Sequence, residues 1–402
     1  MVRLKPPWLE DPAVKRLMTA LGAPALDVRF VGGCVRDAVL ARPNADIDIG
    51  TPEPPARVMA RLAAAGIKAI PTGVEHGTVT AVVDGRSFEV TTLRRDTATD
   101  GRHATVAFTT DWRADASRRD FTFNAMSLSA DGTLHDYFKG ASDARVGRLR
   151  FVGDPNARIV EDYLRILRLF RFYAWYGDKP IAPAILDAVR AHRDRLQDLS
   201  AERIRAELVK LLSAPNPVPA VAAMQSAGVL SVLFPGADGP NLLLKLVLVE
   251  RAYRVAPRWT VRFCALAPDG AASTELAERF RLSGTERDAI VALRATEPAL
   301  DAGMAIVALH AALYRHGAEL IEGRAALAAA RGRRLAGWAD VFGTIHGWQP
   351  RPLPIGGDDV LALGVPPGPK VGALLAVAET AWIGSGFAAG RDDLLAAVRA
   401  KL

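Results

Sequence analysis

Asp46-Ile47-Asp48 is the first place in this 402-residue chain where residue type and spacing suit chemistry. On a strand, residues i and i+2 share a face, so both carboxylates point out together while Ile47 and Ile49 point into the core. Two neighbouring carboxylates repel each other, and a divalent cation relieves that repulsion. Oxygen ligands at a phosphate-handling site imply Mg2+. Most Asp-x-Asp pairs are merely solvated strand faces, so this one takes its meaning from its surroundings. Glu89 alternates with Phe88 and Val90 on a predicted strand. It either brings a third carboxylate to the metal or is an edge-strand charge.

Val31-Gly32-Gly33-Cys34-Val35-Arg36-Asp37 lies just upstream. Two glycines at a strand-to-helix junction let the backbone approach a triphosphate and aim helix N-terminal amides at it. Alone this would be an ordinary tight turn. Next to Asp-x-Asp it becomes a phosphate cradle beside a metal site. Arg118-Arg119-Asp120 precedes the nearly apolar run Phe121-Thr122-Phe123-Asn124-Ala125, whose burial would hold the arginines at the mouth of a site. In Glu161–Arg171, read as one helix, Asp162, Arg165, Arg168 and Arg171 form a drifting stripe. They are either salt-bridged pairs on an exposed helix or phosphate and base contacts. The flanking leucines, isoleucine and phenylalanine leave the helix little free surface, which favours contacts.

The elements that must position these residues change character along the chain. Residues 28–31 read as a short strand, 34–41 as a helix, 45–50 as a strand and 55–65 as a helix. Strands over 77–83 and 87–93 are joined by Asp84-Gly85, a strong hairpin signal. Beyond about residue 155 strand signals fade, and alanine- and leucine-rich helical periodicity runs to the end. Proline-rich breaks lie at 213–220 and 348–357. The reading is an α+β head on an all-helical remainder.

Composition narrows the function classes. Half of the residues are hydrophobic and 24% charged, which excludes a largely disordered chain. No apolar run is long enough to span a membrane, and the N-terminus lacks the apolar core of a secretory signal. Two cysteines, Cys34 and Cys264, are too few for a disulfide framework or a cysteine zinc site. A cytoplasmic protein is expected. The net charge of +7 is spread thinly and favours nucleic acid only weakly. His135-Asp136 is the only His-Asp dipeptide, so no appended His-Asp phosphohydrolase is indicated.

GGCVRD, DID, HGTVTA (76–81), FEVTTLRRD (88–96), DGRHATVAFTTDW (100–112), RRDFTFNAMS (118–127), LHDYFKGASDARVG (134–147), FVGDP (151–155) and EDYLRILRLFRF (161–172) follow one another in a known order. The chain resembles the class II CCA-adding tRNA nucleotidyltransferases, with bacterial poly(A) polymerases as their nearest relatives. The likeness is dense over 28–175 and thinner beyond, at 199–208 and 354–374.

It implies a polymerase-β-like head with a small mixed sheet over 1–139. A helical neck that selects the base would follow at 140–213, and a helical body and tail that bind tRNA at 214–402. By the same likeness Asp46 and Asp48 hold Mg2+, Gly33 and Arg36 contact the nucleotide's phosphates and sugar, and Arg119 contacts the triphosphate. Asp162 and Arg165 match the family's amino-acid template for the incoming base, and Arg168 and Arg171 continue that face. The loop 93–103 resembles that of CCA-adding members.

The implied reaction is template-independent addition of C, C and A to the tRNA 3′ end from CTP and ATP, by two-metal phosphoryl transfer. The implied partners are tRNA and nucleotides, with no membrane and no protein partner. Alternatives are a poly(A) polymerase, a partial A-adding or CC-adding enzyme, and a catalytically inactive tRNA-binding protein.

In the body, Arg251, Arg254, Arg258 and Arg262 would share one side of a continuous helix, which Pro257 is expected to break. Lys370, after Pro366-Pro367-Gly368-Pro369, would stand at a helix start. Arg258, Arg262 and Lys370 are therefore candidate tRNA contacts. The alternative is a solvated arginine face and a structural turn.

Overall fold

The computed structural model describes residues 2–43, 46–99, 104–332, 337–349 and 351–402. The chain forms two compact units, 1–235 and 236–402. No helix among the described residues is long and apolar enough to cross a membrane.

The first unit opens with α1 (Pro12–Ala20), whose start is fixed by the Asp11 carboxylate accepting from the Ala13 amide at 2.9 Å. β1 (Arg29–Val31) is buried throughout and ends at Gly32, whose φ of 72° turns the chain into α2 (Gly33–Val39). β2 (Asp48–Thr51) runs antiparallel to β1, with Val31 opposite Asp48. The sequence reading began this strand at residue 45. It begins at Asp48 because β1 ends there, leaving Asp46 and Ile47 no strand to pair with.

α3 (Pro55–Ala64), β3 (Lys68–Gly73) and β4 (Thr78–Val83) carry the chain over to β5 (Arg86–Thr92). The Asp84-Gly85 turn joins β4 to β5 as expected, with φ of 51° and 77°. β5 then pairs parallel with β2, setting Glu89 beside Asp48. β3 was not foreseen. It contains Pro71 and lies at the sheet edge, where a missing N–H is tolerated.

Two further strands, β6 (Arg94–Thr99) and β7 (Ala104–Phe108), form a separate hairpin where the sequence suggested a loop. The run Arg-Arg-Asp-Thr-Ala-Thr is polar at all but one position, so it offers no alternation to read. After α4 (Trp112–Ser117), β8 (Ser127–Ser129) and β9 (Leu134–His135) complete a seven-stranded mixed sheet ordered β3-β4-β5-β2-β1-β8-β9. This is the α+β head that the sequence implied.

α5 (Gly140–Arg145) leads into α6 (Pro155–Glu161), α7 (Leu164–Tyr176), α8 (Pro183–His192), α9 (Ala201–Leu212), α10 (Val218–Ser226) and α11 (Val229–Leu233). α7 packs on α9 and α10. Phe121, Phe123 and Phe151 are buried and gather on Phe172 of α7, the rings of Phe121 and Phe172 lying 5.4 Å apart. This aromatic cluster ties α7 to the sheet-bearing part of the unit.

The single helix expected over 161–171 is interrupted. Asp162 is extended, at φ −156° and ψ 106°, and its carboxylate accepts from the Leu164 amide at 3.1 Å. A short acidic side chain that bonds a nearby backbone N–H competes with the helix, and here it divides α6 from α7.

The second unit is helical: α12 (Asn241–Tyr253), α13 (Trp259–Leu266), α14 (Ser273–Arg279), α15 (Gly284–Arg294), α16 (Ile306–His316), α17 (Ala318–Arg331), α18 (Ala339–Gly347), α19 (Gly357–Leu361), α20 (Pro369–Gly384) and α21 (Arg391–Arg399). The chain does break near Pro257. Arg254 adopts a left-handed conformation at φ 57°, and α13 starts only at Trp259. Toward the C-terminus Trp382, Phe387 and Leu394 centre a separate hydrophobic cluster.

Candidate active site

A cavity of about 720 Å³ in the first unit is lined by Gly32, Gly33, Arg36, Asp46, Asp48, Arg119, Asp162, Arg165, Arg168 and Arg171. Four stretches far apart in sequence thus meet in one place. Gly32 keeps the floor open. A Cβ there would sit 3.3 Å from Arg119 Nη1 and 3.8 Å from Asp48 Oδ2, at a φ that side chains rarely adopt.

The carboxylate pair lies at one end. Burial raises the Asp48 carboxyl above its ordinary value, the Glu89 and Asp46 charges add to this, and Arg119 opposes it. Glu89 is itself exposed, and its place beside Asp48 follows from the parallel register. No group of three or more His, Cys, Asp or Glu among the described residues is gathered so as to hold an ion unaided. Two neighbouring carboxylates nevertheless suit Mg2+, which uses one or two protein carboxylates and completes its shell with water and substrate phosphates.

The arginines are held by built-in partners. Arg119 donates to Asp115 Oδ2 from Nε (3.3 Å) and Nη2 (3.2 Å), and Arg118 donates to Asp115 Oδ1 at 3.0 Å. Burial works against ionisation of Asp115, but the two guanidiniums prevail and hold its carboxyl below the usual range. Arg36 makes a bidentate pair with Asp37 and donates to Asn124 Oδ1 at 3.0 Å, lying over the Tyr176 ring.

Asp120 is buried. Its Oδ2 accepts from Arg168, and its Oδ1 accepts from the Phe121 amide and Asn124 Nδ2. Despite burial, Arg168 and these donors keep its carboxyl low. Arg171 donates to Glu207 and lies 3.8 Å from the Phe172 ring centre. Cys34, behind the glycines, is inert, since burial pushes its thiol up to about 12.

The helix break changes the relation between Asp162 and Arg165. They are not paired with each other. Arg203 Nη2 bonds both Asp162 oxygens, at 3.1 and 2.9 Å. Arg165 donates to Glu161 and to the carbonyls of Arg158 (2.8 Å) and Arg118 (3.3 Å). Each side chain is therefore oriented independently, and both line the cavity. Sequence reading missed Arg203, Asp120, Asn124, Glu161 and Glu207 as the residues that position the others. For Arg203 and Glu207 the signal lies in the family-like segment 199–208.

Of the expected tRNA contacts, Arg262 must be withdrawn. Its side chain is buried and bonds Glu250, Nη2 to Oε2 at 2.7 Å. It closes an internal ion pair because the break before α13 turns it inward. Arg262→Met should cost about 3–5 kcal/mol in urea unfolding, since it strands a buried carboxylate. A variant as stable as the parent would contradict this structural role. Arg258 donates to Glu319 Oε1 at 3.0 Å and to the Glu319 carbonyl at 2.6 Å. Lys370 is exposed in the first turn of α20, which Pro369 begins.

Comparison with known proteins places the chain among relatives of known activity. Residues 28–150 match the poly A polymerase head domain, and residues 180–239 match the "probable RNA and SrmB- binding site of polymerase A" family. The chain is 34% identical over 390 residues to mouse CCA tRNA nucleotidyltransferase 1, mitochondrial, covering 93% of this chain and 86% of the relative. It is 32% identical over 301 residues to the CCA-adding enzyme of Limosilactobacillus reuteri, covering 74% of this chain and 72% of that one. The Bacillus stearothermophilus CCA-adding enzyme, solved in complex with CTP, superposes with a TM-score of 0.74 at 28% identity, covering 95% of this chain and 94% of that one.

The fold and site thus define an enzyme of the nucleotidyltransferase class, a class that depends on divalent metal. Within it, the chain belongs to the CCA-adding tRNA nucleotidyltransferase family.

Proposed function

We propose that this enzyme adds C, C and A to the 3′ end of tRNA from CTP and ATP, with no nucleic-acid template. One observation carries the reading. The carboxylate pair and the separately held Asp162 and Arg165 line the same cavity, so chemistry and base selection face one nucleotide. The names of the relatives support it.

Asp46 and Asp48 would hold Mg2+, with Glu89 close enough to bias Asp48. When bound, the ion supplies charge neutralisation at the reacting phosphate and acidifies the attacking ribose hydroxyl. Gly32 and Gly33 leave room for the triphosphate. Arg36 meets the sugar and phosphates, and Arg119 offsets charge on the departing pyrophosphate. Asp162 accepts from, and Arg165 donates to, the Watson–Crick edge of the incoming base, while Arg168 and Arg171 extend that wall.

Head, neck, and body and tail are proposed to divide these tasks at 1–139, 140–213 and 214–402, with Arg258 and Lys370 on the RNA side. Cytoplasmic residence is proposed from the cysteines, both buried and unpaired.

Incorporation of radiolabelled CTP and ATP into tRNAs ending at the discriminator base, at C and at CC tests the function. Two cytidines followed by one adenosine are expected. Long adenosine tracts, or additions confined to C or to A, would replace this reading with a poly(A) polymerase or a partial enzyme. Binding of tRNA with no incorporation would leave only a tRNA-binding protein.

A further inference from the structure

Nine cationic side chains line the active-site cavity against four carboxylates, so its wall carries an excess of positive charge. Seven of the eight arginines among them are already paired with a carboxylate, either on the wall or just behind it. The eighth, Arg94, donates to the His76 carbonyl. Lys210 is the ninth cation. Its side chain is exposed on the cavity wall, and among the described residues its ammonium meets no acceptor.

The stem of this free ammonium is fixed. The Lys210 carbonyl accepts from Trp175 Nε1 at 2.7 Å, and the Trp175 carbonyl accepts from Arg42 Nη1 at 2.9 Å. α9 is thereby joined through the end of α7 to the chain just after α2, the helix that the glycine pair begins. Arg203, Glu207 and Lys210 are spaced i, i+4 and i+7 and share one face of α9. Arg203 holds Asp162 and Glu207 holds Arg171, while Lys210 lies two turns, about 10 Å, along from Arg203. A nucleotide whose base edge meets Asp162 carries its phosphates away from that point by a length of the same order. A lysine in the last turn of a helix also offsets the partial negative charge there, but that role is served on any face.

We propose that Lys210 is a substrate-binding residue that takes a phosphate group on the side of the cavity away from Asp162. An ammonium on a flexible four-carbon stem binds phosphate as a point charge, with three donors and no fixed plane to satisfy. Two sources carry that chemistry, the outer phosphates of the incoming nucleotide and a phosphodiester near the tRNA 3′ end. Both rest on the function proposed above.

The test uses the full chain with Lys210→Met and Lys210→Arg. The first keeps an unbranched stem and removes the charge. The second keeps the charge and should rescue. Lys179→Met removes the same charge from an exposed position of this unit outside the cavity, as a control.

With the nucleotide as the source, Lys210→Met raises KM for CTP and ATP roughly tenfold at nearly unchanged kcat. Inorganic pyrophosphate, which carries the outer phosphates without a base, then inhibits less well in proportion, and tRNA affinity is unchanged. With tRNA as the source, nucleotide KM is unchanged, CC-ended tRNA binds several-fold more weakly, and the log–log salt dependence becomes shallower by about one. In either case Lys210→Arg recovers most of the loss, and Lys179→Met behaves as wild type. Wild-type nucleotide KM and tRNA affinity in Lys210→Met, whether or not its melting temperature falls, overturns the proposal and leaves Lys210 a helix-end charge. That failure leaves CCA addition by wild type intact. Failure of the proposed function removes the addition itself.

Discussion

Asp48→Asn should abolish nucleotide addition, by at least about 10³-fold in kcat, while leaving the fold intact. The carboxylate lies on the cavity and not in the core, so the substitution removes a metal ligand without opening a void. Asp46→Ala should behave alike. The effect on stability has a definite sign. In the metal-free enzyme Asp48 is raised above 3.8, by burial first and then by Glu89 and Asp46. A raised acid contributes stability that is fully present below its unfolded value and is lost as pH rises through the folded one.

At neutral pH the ionised Asp48 is therefore a cost, and asparagine relieves it. Thermal melts in EDTA at pH 7 should place Asp48→Asn at or above the parent. Wild-type-like incorporation at millimolar Mg2+ would end the metal assignment. Lost activity with a lowered melting temperature would make Asp48 a structural residue.

Asp162→Ala should relax the choice among CTP, ATP, UTP and GTP or strongly raise the nucleotide KM. Cytosine and adenine each offer an exocyclic amine to a carboxylate and a ring nitrogen to a guanidinium. Uracil and guanine place a carbonyl where the carboxylate needs a donor. Each mismatched hydrogen bond is worth roughly 1–3 kcal/mol, or about 5- to 150-fold in discrimination. The competing explanation, that Asp162 only stiffens the neck, predicts a small effect of any kind. Its partner is Arg203, both side chains are about one-third exposed, and such pairs contribute about 0–1 kcal/mol.

Arg203→Ala frees Asp162 without deleting it, so it should blur selection less than Asp162→Ala does. All four nucleotides, assayed on unextended and CC-ended tRNA, separate these outcomes. Unchanged discrimination in both Asp162→Ala and Arg165→Ala would sink the template assignment.

The sequence made legible what is local. Asp84-Gly85 names its own turn, the glycine pair marks the end of β1, and the two aspartates alternate with isoleucines that are indeed buried. Long-range partnerships carry no such mark. Nothing in the local pattern says that Asp120 will take Arg168, that Arg203 will take Asp162, or that Glu250 will draw Arg262 inside. The helix break at Asp162 was hidden for a related reason. Periodicity weighs apolar spacing, and a carboxylate that captures a backbone N–H two residues ahead leaves that spacing untouched.

The parallel register of β2 and β5 bears on how the enzyme comes into being. The β4–β5 hairpin closes through a two-residue turn, whereas β2 meets β5 in parallel across an intervening helix and two strands. The Glu89 charge therefore comes beside Asp48 only with that long-range pairing. Asp46 and Asp48 are neighbours in any conformation of the chain, so what the parallel register adds as the head assembles is the third charge beside them and not the ligand pair itself.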